Sequence, residues 1–471
     1  MKRAFTTRKG SPAAEELYRQ GEGEALHGNN EAAEALFRRA IAADGTKPRY
    51  HFALGCALQA TGRAELAAES YRRTLALDPT FVPAMINLGS LLQSSGERGP
   101  NAEPLLDEAL GLFRAVTELA PGIPDGWINL GFALERNTRL AEAREAYDRA
   151  LAIDASLADA RFNRSLVLLA QGDYPAGWQD YEARWAATGF PRPAFGGPEW
   201  DGRALDGKSV FLYTEQGFGD AIQFIRYLPM LAERGGRALL RCQPELRRLF
   251  EGVRGVAGIV APDEVPAFDF HCSLLSLARV FGTTLDTIPA EVPYLRVDPV
   301  LAAAWRGRLG DAGGALRVGL VWSSQSRMPD AAGKSMALEA LAPLRGIRGV
   351  RYYSLQVGSA AREAAAGPVP MADLTGGIAD FSDTAALVDC LDLVVSVDTA
   401  VAHLAGAMAK PVWTLLRYAP DWRWYPDAPQ SRWYPTMRLY RQRARGDWRA
   451  LAEEVARDLR GLAARRATSP T

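Results

Sequence analysis

The chain has 471 residues, and its 55 lysines and arginines balance its 55 aspartates and glutamates, so the formal net charge is zero. A hydrophobic fraction of 48% with 23% charged residues is ordinary for globular domains, which excludes a largely disordered chain. The length accommodates about two to four domains, and the neutral balance gives no basis for wholesale attraction to nucleic acid or to a membrane surface.

The cysteines and the apolar runs of the sequence argue against several further classes of protein. The four cysteines are scattered and form no CxxC pair, which argues against a disulfide framework or a zinc site. The first ten residues are basic, but no apolar stretch of signal-peptide type follows them. No run approaches the roughly 18 apolar residues of a membrane span. We therefore expect a cytoplasmic protein without a membrane span.

The first part of the chain is a repeat with a period of 34 residues. Its five units, with eight residues inserted in the third around Glu97–Pro104, begin at Ala14, Pro48, Val82, Pro124 and Ala158. The first four share a glycine at the eighth position and an aromatic residue at the twenty-fourth. These pairs are Gly21 and Phe37, Gly55 and Tyr71, Gly89 and Phe113, and Gly131 and Tyr147. The glycine lets the two helices of a unit approach, and the aromatic side chain is expected to fill the gap between units. The pattern resembles tetratricopeptide repeats over 14–187, with an atypical terminal unit.

Three of the seven asparagines stand at the sixth position of successive units: Asn87, Asn129 and Asn163. A side-chain amide both donates and accepts, so it can pair with a peptide backbone whatever the peptide's sequence. The three asparagines therefore either bind an acceptor polypeptide or pack and cap locally between helices. Their register resembles the asparagine ladder of O-GlcNAc transferase, which implies protein-acceptor binding. The first two units depart from it, with Arg19 and Ala53.

The second part alternates strands and helices. A linker rich in proline and glycine, 188–207, comes first. Strands are expected at Ser209–Tyr213, Ala238–Cys242, Gly258–Ala261, Phe268–Cys272, Arg317–Trp322, Arg351–Gln356, Leu391–Val397, Pro411–Leu416 and Met437–Tyr440. Alternation of this kind predicts parallel sheets. Two series in tandem predict two Rossmann-like lobes facing a cleft, over 208–310 and 311–445, with a closing helix at 446–466.

The first chemical motif, EQGFGDAIQFIRYLP, follows the first of these strands. Gly217 and Gly219 permit a tight turn and close approach of a donor ligand, and a helix is expected over Ala221–Arg234. Asp220 is the candidate catalytic base, which takes a proton from an acceptor hydroxyl. Because a helix N-terminus favours the carboxylate and weakens it as a base, Asp220 is alternatively a helix cap or a group that positions the donor.

The second motif, Leu391–Leu416, joins a strand to a helix of small residues. The strand brings Asp398 to its carboxyl end, and the amides of Thr399, Ala400 and Val401 at the helix start can hold a phosphate. His403 is either a ligand contact or a helix residue whose hydrogen bonds are satisfied within the protein.

The third motif, Val318–Leu338, ends a strand at Ser323 and leads through a polar loop to Lys334 and Ser335. The chain has only six lysines among its 55 basic residues, so a lysine kept in this loop favours a compact phosphate contact. The alternative is an ordinary solvated loop charge.

Together the three motifs resemble the heptosyltransferase-like glycosyltransferases of the GT-B fold, over about 208–445. The resemblance implies an inverting, metal-independent transferase with Asp220 as base, phosphate contacts from Lys334 and the Thr399–His403 turn, and Asp398 on the donor sugar. No DxD motif stands at a suitable strand end, in agreement with metal independence, and no cofactor is expected besides the nucleotide-sugar substrate.

The whole architecture resembles bacterial tetratricopeptide-repeat glycosyltransferases, among them those that modify flagellin. That resemblance implies serine or threonine hydroxyls of a protein acceptor, with flagellin as the candidate, and a CMP-linked nonulosonic acid as donor ahead of a UDP-sugar. Two alternatives stay open: a glycan or lipid acceptor, and an inactive scaffold that binds partners through its repeats. The aromatic stretch Tyr418–Tyr434 either covers the donor or stacks in the core.

Overall fold

The computed structural model describes residues 11–96, 102–189, 191–325, 331–424 and 428–468. The chain divides into two compact units, Met1–Ala160 and Arg161–Thr471. The repeat pattern runs to residue 187, but the boundary between the units falls inside the fifth repeat.

The described residues of the first unit form helices that pack in consecutive pairs, the tetratricopeptide arrangement that the 34-residue period predicts. The helices are α1 Pro12–Leu26, α2 Asn30–Ala43, α3 Pro48–Ala60, α4 Ala64–Leu77, α5 Val82–Gly96, α6 Ala102–Leu119, α7 Pro124–Arg136 and α8 Leu140–Ile153. A proline opens α1, α3 and α7, where its missing N–H costs no helical hydrogen bond.

The glycine and the aromatic residue of each repeat pack against each other within that repeat. A Cβ atom on Gly55 would lie 2.5 Å from a ring carbon of Tyr71, and on Gly131 it would lie 2.7 Å from a ring carbon of Tyr147. The ring therefore occupies the space that the glycine leaves between the two helices of its own repeat. In the second repeat the Tyr71 hydroxyl also accepts a hydrogen bond from Asn87 of the third repeat at 3.3 Å, so the predicted contact between repeats is present there as well.

The eight-residue insertion accompanies a longer second helix in the third repeat. Helix α6 has 18 residues, whereas α2, α4 and α8 have 14 each. Residues 97–101, at the start of the predicted insertion, lie outside the described residues.

The second unit begins inside α9 Ala158–Ala170, and continues with α10 Tyr174–Tyr181 and α11 Arg184–Ala187. These helices join the core of the sheets: Trp178 is buried and donates its indole N–H to the carbonyl of Thr283 at 3.1 Å. The predicted linker is also partly packed, since the amide of Trp200 donates to the carbonyl of His271 at 2.9 Å. Burial of Trp178 in the core of the first sheet explains why most of the fifth repeat groups with the sheets rather than with the other repeats.

The first sheet has the order β3-β2-β1-β4, with every pair parallel. Its strands are β1 Ser209–Tyr213, β2 Arg237–Arg241, β3 Val256–Val260 and β4 Phe270–Ser273. Its helices are α12 Phe218–Phe224, α13 Leu228–Glu233, α14 Arg247–Phe250 and α15 Leu277–Val280. The single helix expected over Ala221–Arg234 begins earlier and is interrupted by a 3-10 turn at Ile225–Tyr227, where Pro229 starts α13.

The second sheet has the order β10-β9-β8-β5-β6-β7, again parallel throughout. Its strands are β5 Leu316–Val321, β6 Val350–Ser354, β7 Met371–Asp373, β8 Leu393–Val397, β9 Val412–Leu416 and β10 Met437–Arg441. Its helices are α16 Pro299–Leu309, α17 Ala331–Lys334, α18 Phe381–Asp389, α19 Ala400–Ala407 and α20 Trp448–Thr468. This is the doubly wound order, whose ligand sites lie at the carboxyl ends of the strands where the strand order reverses. Helical repeats followed by two parallel α/β sheets confirm the predicted fold class.

Candidate active site

The turn after β1 holds Asp220 as a helix cap. Asp220 Oδ2 accepts the amide N–H of Gly217 at 3.1 Å, across the first turn of α12. Gln216, just before, has a φ of 61°, in the left-handed region that is unusual for a side chain other than glycine. The cap that the sequence left as an alternative is thus present, and it uses one of the two carboxylate oxygens.

The N-termini of α12 and α19 meet across the cleft between the two sheets. A Cβ atom on Gly219 would lie 2.9 Å from His403 Cδ2 and 3.7 Å from the Cα of Ala400. On Gly217 it would come within 4 Å of Asp220 Oδ2 only, among the described atoms. Gly219 therefore permits close packing of two helices, a role that the sequence analysis did not anticipate.

Arg423 joins the two sides of the cleft. It lies in the 3-10 turn Trp422–Trp424 after β9, donates to Asp220 Oδ1, and also donates to Asp421 Oδ1 at 2.9 Å. Its side chain is 8% exposed and that of Asp220 is 20% exposed. Burial raises the pKa of Asp220 against the opposing effect of Arg423. Burial alone would raise the pKa of Asp421, but Arg423 and Lys334 together hold it well below its usual range.

A second group of side chains, beside Arg423, consists of Lys334, Asp398 and His403. Lys334 Nζ lies 3.1 Å from Asp398 Oδ2, and His403 Nε2 lies 4.0 Å from Asp398 Oδ1. His403 Nδ1 is hydrogen-bonded to the hydroxyl of Tyr434 at 2.9 Å. Burial lowers the pKa of His403 to about 3, although Asp398 opposes the shift, so the imidazole is neutral at pH 7. His403 is thus a helix residue whose hydrogen bond is satisfied within the protein.

The start of α19 presents the predicted phosphate site. Thr399 is its N-cap residue in extended conformation, and its hydroxyl lies 2.9 Å from that of the buried Ser396. Thr399 and Ala400 are half-buried, so solvent reaches the helix N-terminus.

The loop after β5 is organised by a buried glutamine that the sequence analysis missed. Gln356, 1% exposed, accepts the amide N–H of Ser323 at 2.9 Å and donates to its carbonyl at 3.1 Å. Ser335 Oγ accepts the amide N–H of Ser324 at 2.9 Å and lies 3.4 Å from Ser323 Oγ. Ser323 and Ser335, the two serines that the sequence predicts at this site, therefore lie close together and shape the loop that leads to Lys334.

Arg184, on α11, is hydrogen-bonded to the turn after β1. Its buried guanidinium donates to Glu215 Oε1 at 2.6 Å, to Glu182 Oε1 at 2.9 Å and to Ser276 Oγ at 2.9 Å. The end of the repeats is therefore bonded directly to the turn that carries Asp220.

The three predicted acceptor asparagines differ in their surroundings. In the first unit, Asn87 donates to the hydroxyl of Tyr71 at 3.3 Å and to Cys56 Sγ at 3.7 Å, which is the local packing alternative. Asn129, in the same unit, and Asn163, in the second unit, are half-buried. Local packing thus accounts for Asn87, whereas the roles of Asn129 and Asn163 stay predictions.

Arg423 and Asp421 are site residues that the sequence analysis missed. The tryptophans of the same stretch were candidates either to cover the donor or to stack in the core. Trp422, Trp424 and Trp433 are buried in the core. The available signal was an Asp-x-Arg pair five residues after a parallel strand, at the end where ligands bind. Within the described residues, no group of three or more histidine, cysteine, aspartate or glutamate side chains is arranged to hold a metal ion. No described helix is both long and apolar enough to cross a membrane.

Two doubly wound sheets with one shared cleft are the GT-B arrangement, and comparison with known proteins agrees. Residues 359–441 match glycosyltransferase family 9 (heptosyltransferase), and residues 12–81 and 124–156 match tetratricopeptide repeats. Part of the second sheet region is thus similar to glycosyltransferase family 9, and the helical part is similar to tetratricopeptide repeats; the first similarity supports a glycosyltransferase.

The individual proteins to which the chain is similar have sequence identities of 28% or less. The chain is 28% identical over 388 residues to Protein FlbA of Caulobacter vibrioides, a match that covers 74% of this chain and 63% of FlbA. It thus spans less than two thirds of that relative's length. Among solved structures, pilF of Pseudomonas aeruginosa is 20% identical, covers 51% of this chain and 93% of its own, and has a TM-score of 0.35. MamA of Desulfovibrio magneticus RS-1 is 17% identical, with coverages of 38% and 97% and a TM-score of 0.35.

Proposed function

We propose that the protein is an inverting, metal-independent glycosyltransferase that moves a sugar from a nucleotide donor to serine or threonine hydroxyls of a protein acceptor. The observation that carries this proposal is the convergence of Asp220 on α12 with Lys334, Asp398 and the N-terminus of α19 in one cleft. One side of the cleft offers a base, and the other offers groups that attract a phosphate.

The chemistry is a single displacement. The acceptor oxygen forms a bond to the anomeric carbon while its proton passes to Asp220, and the bond from that carbon to the donor phosphate breaks with its electrons leaving on the phosphate. Lys334 and the amides of Thr399 and Ala400 stabilise the charge that develops there. Burial of Asp220 supports its role as base because a raised pKa brings the carboxylate closer to the working pH.

Donor and acceptor follow from the resemblance of the architecture. The favoured donor is a CMP-linked nonulosonic acid, with a UDP-sugar next, and the favoured acceptor is flagellin. Tetratricopeptide repeats support protein–protein interaction, and the half-buried Asn129 and Asn163 are the candidate contacts to the acceptor backbone. The protein would act in the cytoplasm, where nucleotide sugars are available.

The test incubates the full chain with purified flagellin and either a CMP-nonulosonic acid or a UDP-sugar, and measures the intact mass of flagellin. We expect a mass increase of one sugar residue, undiminished by EDTA, with inverted anomeric configuration by NMR. Asp220→Asn should abolish transfer without weakening nucleotide binding, because the base is needed only for the transfer step. Asp263→Asn, an exposed aspartate of the same lobe, is the matched control. Full transfer by Asp220→Asn would refute the base, and failure to bind CMP, UDP, GDP or ADP would favour an inactive scaffold.

A further inference from the structure

Arg423 is held in place by groups from both sides of the cleft. Besides Asp220 and Asp421, its guanidinium donates through Nε to Gln223 Oε1 on α12. The guanidinium carbon also stacks 4.4 Å from the ring centroid of Trp422. An arginine with a planar, fixed donor fork is suited to bind an anion bidentately, and here its anion is the candidate base.

This ion pair opposes the function proposed for Asp220. A guanidinium beside a carboxylate stabilises its charged form and makes it a weaker proton acceptor. The amide of Gly217 has the same effect from the other oxygen. With the cleft in this state, both carboxylate oxygens of Asp220 already accept a hydrogen bond, one from Gly217 and one from Arg423, before any acceptor hydroxyl arrives.

The other charged groups around Asp220 show what removal of Arg423 would do. Asp421 is close enough to raise the pKa of Asp220, and Lys334 is close enough to lower it. Among the described residues, Tyr181 on α10 and the neutral His403 on α19 are further titratable groups near it. If Arg423 turned to another anion while Lys334 stayed beside Asp398, the buried Asp220 would face a nearby carboxylate and would bind a proton more readily.

We infer that Arg423 is a positioning residue that couples donor binding to activation of Asp220: the donor phosphate takes the guanidinium from Asp220, which frees this carboxylate for the acceptor hydroxyl. A phosphate is the ligand for which arginine competes best, because its oxygens match the two parallel N–H donors. The inference rests on the donor site proposed above, and it predicts that the base is blocked until the donor is bound.

The experiment is calorimetric titration of the full-length protein with CMP and with UDP at pH 6, in two buffers of different ionisation enthalpy, so that protons taken up on binding are counted. We expect proton uptake by the wild type that is absent in Asp220→Asn. The difference between the two proteins excludes protons taken up by the nucleotide itself.

Arg423→Gln should weaken nucleotide binding about tenfold or more, as expected for loss of a charge-assisted hydrogen bond, and should abolish the Asp220-dependent proton uptake. Arg443→Gln, at an arginine of the same lobe whose side chain is 92% exposed, is the matched control and should change neither quantity. Should Arg423→Gln fail to fold, the comparison of wild type with Asp220→Asn still decides the question.

The outcomes separate this inference from the proposed function. Nucleotide binding with equal proton uptake in the wild type and Asp220→Asn overturns the role of Arg423 and leaves the transferase proposal standing. Wild-type affinity and uptake in Arg423→Gln overturn it as well. Absence of binding by any of CMP, UDP, GDP and ADP refutes the donor site itself and, with it, the inference.

Discussion

A single methyl group at Gly219 should force apart the two helices that form the site. In Gly219→Ala, the new Cβ would lie 2.9 Å from His403 Cδ2 and 3.4 Å from its Nε2. Carbon atoms in contact are normally about 3.5–4.0 Å apart, so roughly 0.6 Å or more must be gained by movement. His403 cannot easily move, because Tyr434 holds its Nδ1 at 2.9 Å and its ring packs against Trp424 with centroids 5.2 Å apart.

We expect Gly219→Ala to lower the free energy of unfolding only slightly and to lower the rate of transfer much more. Overpacking of this kind costs about 1–3 kcal/mol, and exchange of glycine for alanine in a helix returns up to about 1 kcal/mol. We therefore expect a net loss of about 1 kcal/mol, a shift of a few degrees in the thermal midpoint. Transfer should suffer more, by roughly 10- to 100-fold, because a displacement of about 1 Å between reacting groups can cost about 100-fold.

The assays are differential scanning calorimetry and initial rates of transfer. Gly217→Ala is the matched control: it adds the same methyl group two residues away, where Asp220 Oδ2 at 3.4 Å is the described atom it would meet. It weakens an N-cap by about 1 kcal/mol or less but leaves the distance between the helices unchanged. If Gly219→Ala transferred sugar as fast as Gly217→Ala, the helix contact would be irrelevant to catalysis.

Three further changes test other parts of the structure. Because burial lowers the pKa of His403 to about 3, its contribution to stability is complete above its ordinary pKa near 6.5 and declines below it. The decline is about 1.4 kcal/mol per pH unit, so His403→Gln should flatten the fall in thermal midpoint between pH 6.5 and 4.5, and a parallel fall would contradict the burial argument. Gly55→Ala should destabilise the repeats, because its Cβ would lie 2.5 Å from the ring of Tyr71. Gly111→Ala, whose Cβ would meet no described atom within 4 Å, should stabilise them by about 0.5–1 kcal/mol, and equal midpoints in urea would refute the packing. Arg184→Met should cost about 3 kcal/mol, because it leaves the half-buried Glu215 without its cation and removes one of the cations beside Glu182, and a change below 1 kcal/mol in denaturant titration would show that Glu215 protonates freely.

The sequence carried much of the fold because the relevant signals are local. The glycine and aromatic residue stand 16 residues apart in the first, second and fourth repeats, and 24 apart in the third because of its eight inserted residues, so a fixed period reveals them. Strand β1 runs over Ser209–Tyr213, as predicted, because its buried apolar residues stand directly before the glycine-rich turn. Strand β7 escaped prediction because it has three residues, two of them exposed, and no apolar pattern distinguishes it from a loop.

What the sequence by itself determined is the set of elements and the side chains at their ends, since helix and strand periods, turns and caps depend on residues close in the chain. The tertiary structure decided which of those ends meet. Asp220 and Arg423 are 203 residues apart, and no spacing rule relates them. They are joined because α12 of the first sheet packs beside the helix and turn that follow strands β8 and β9 of the second, with Gly219 where a Cβ would collide with His403. The ion pair at the candidate base is therefore a property of packing between sheets, which a single sequence does not record.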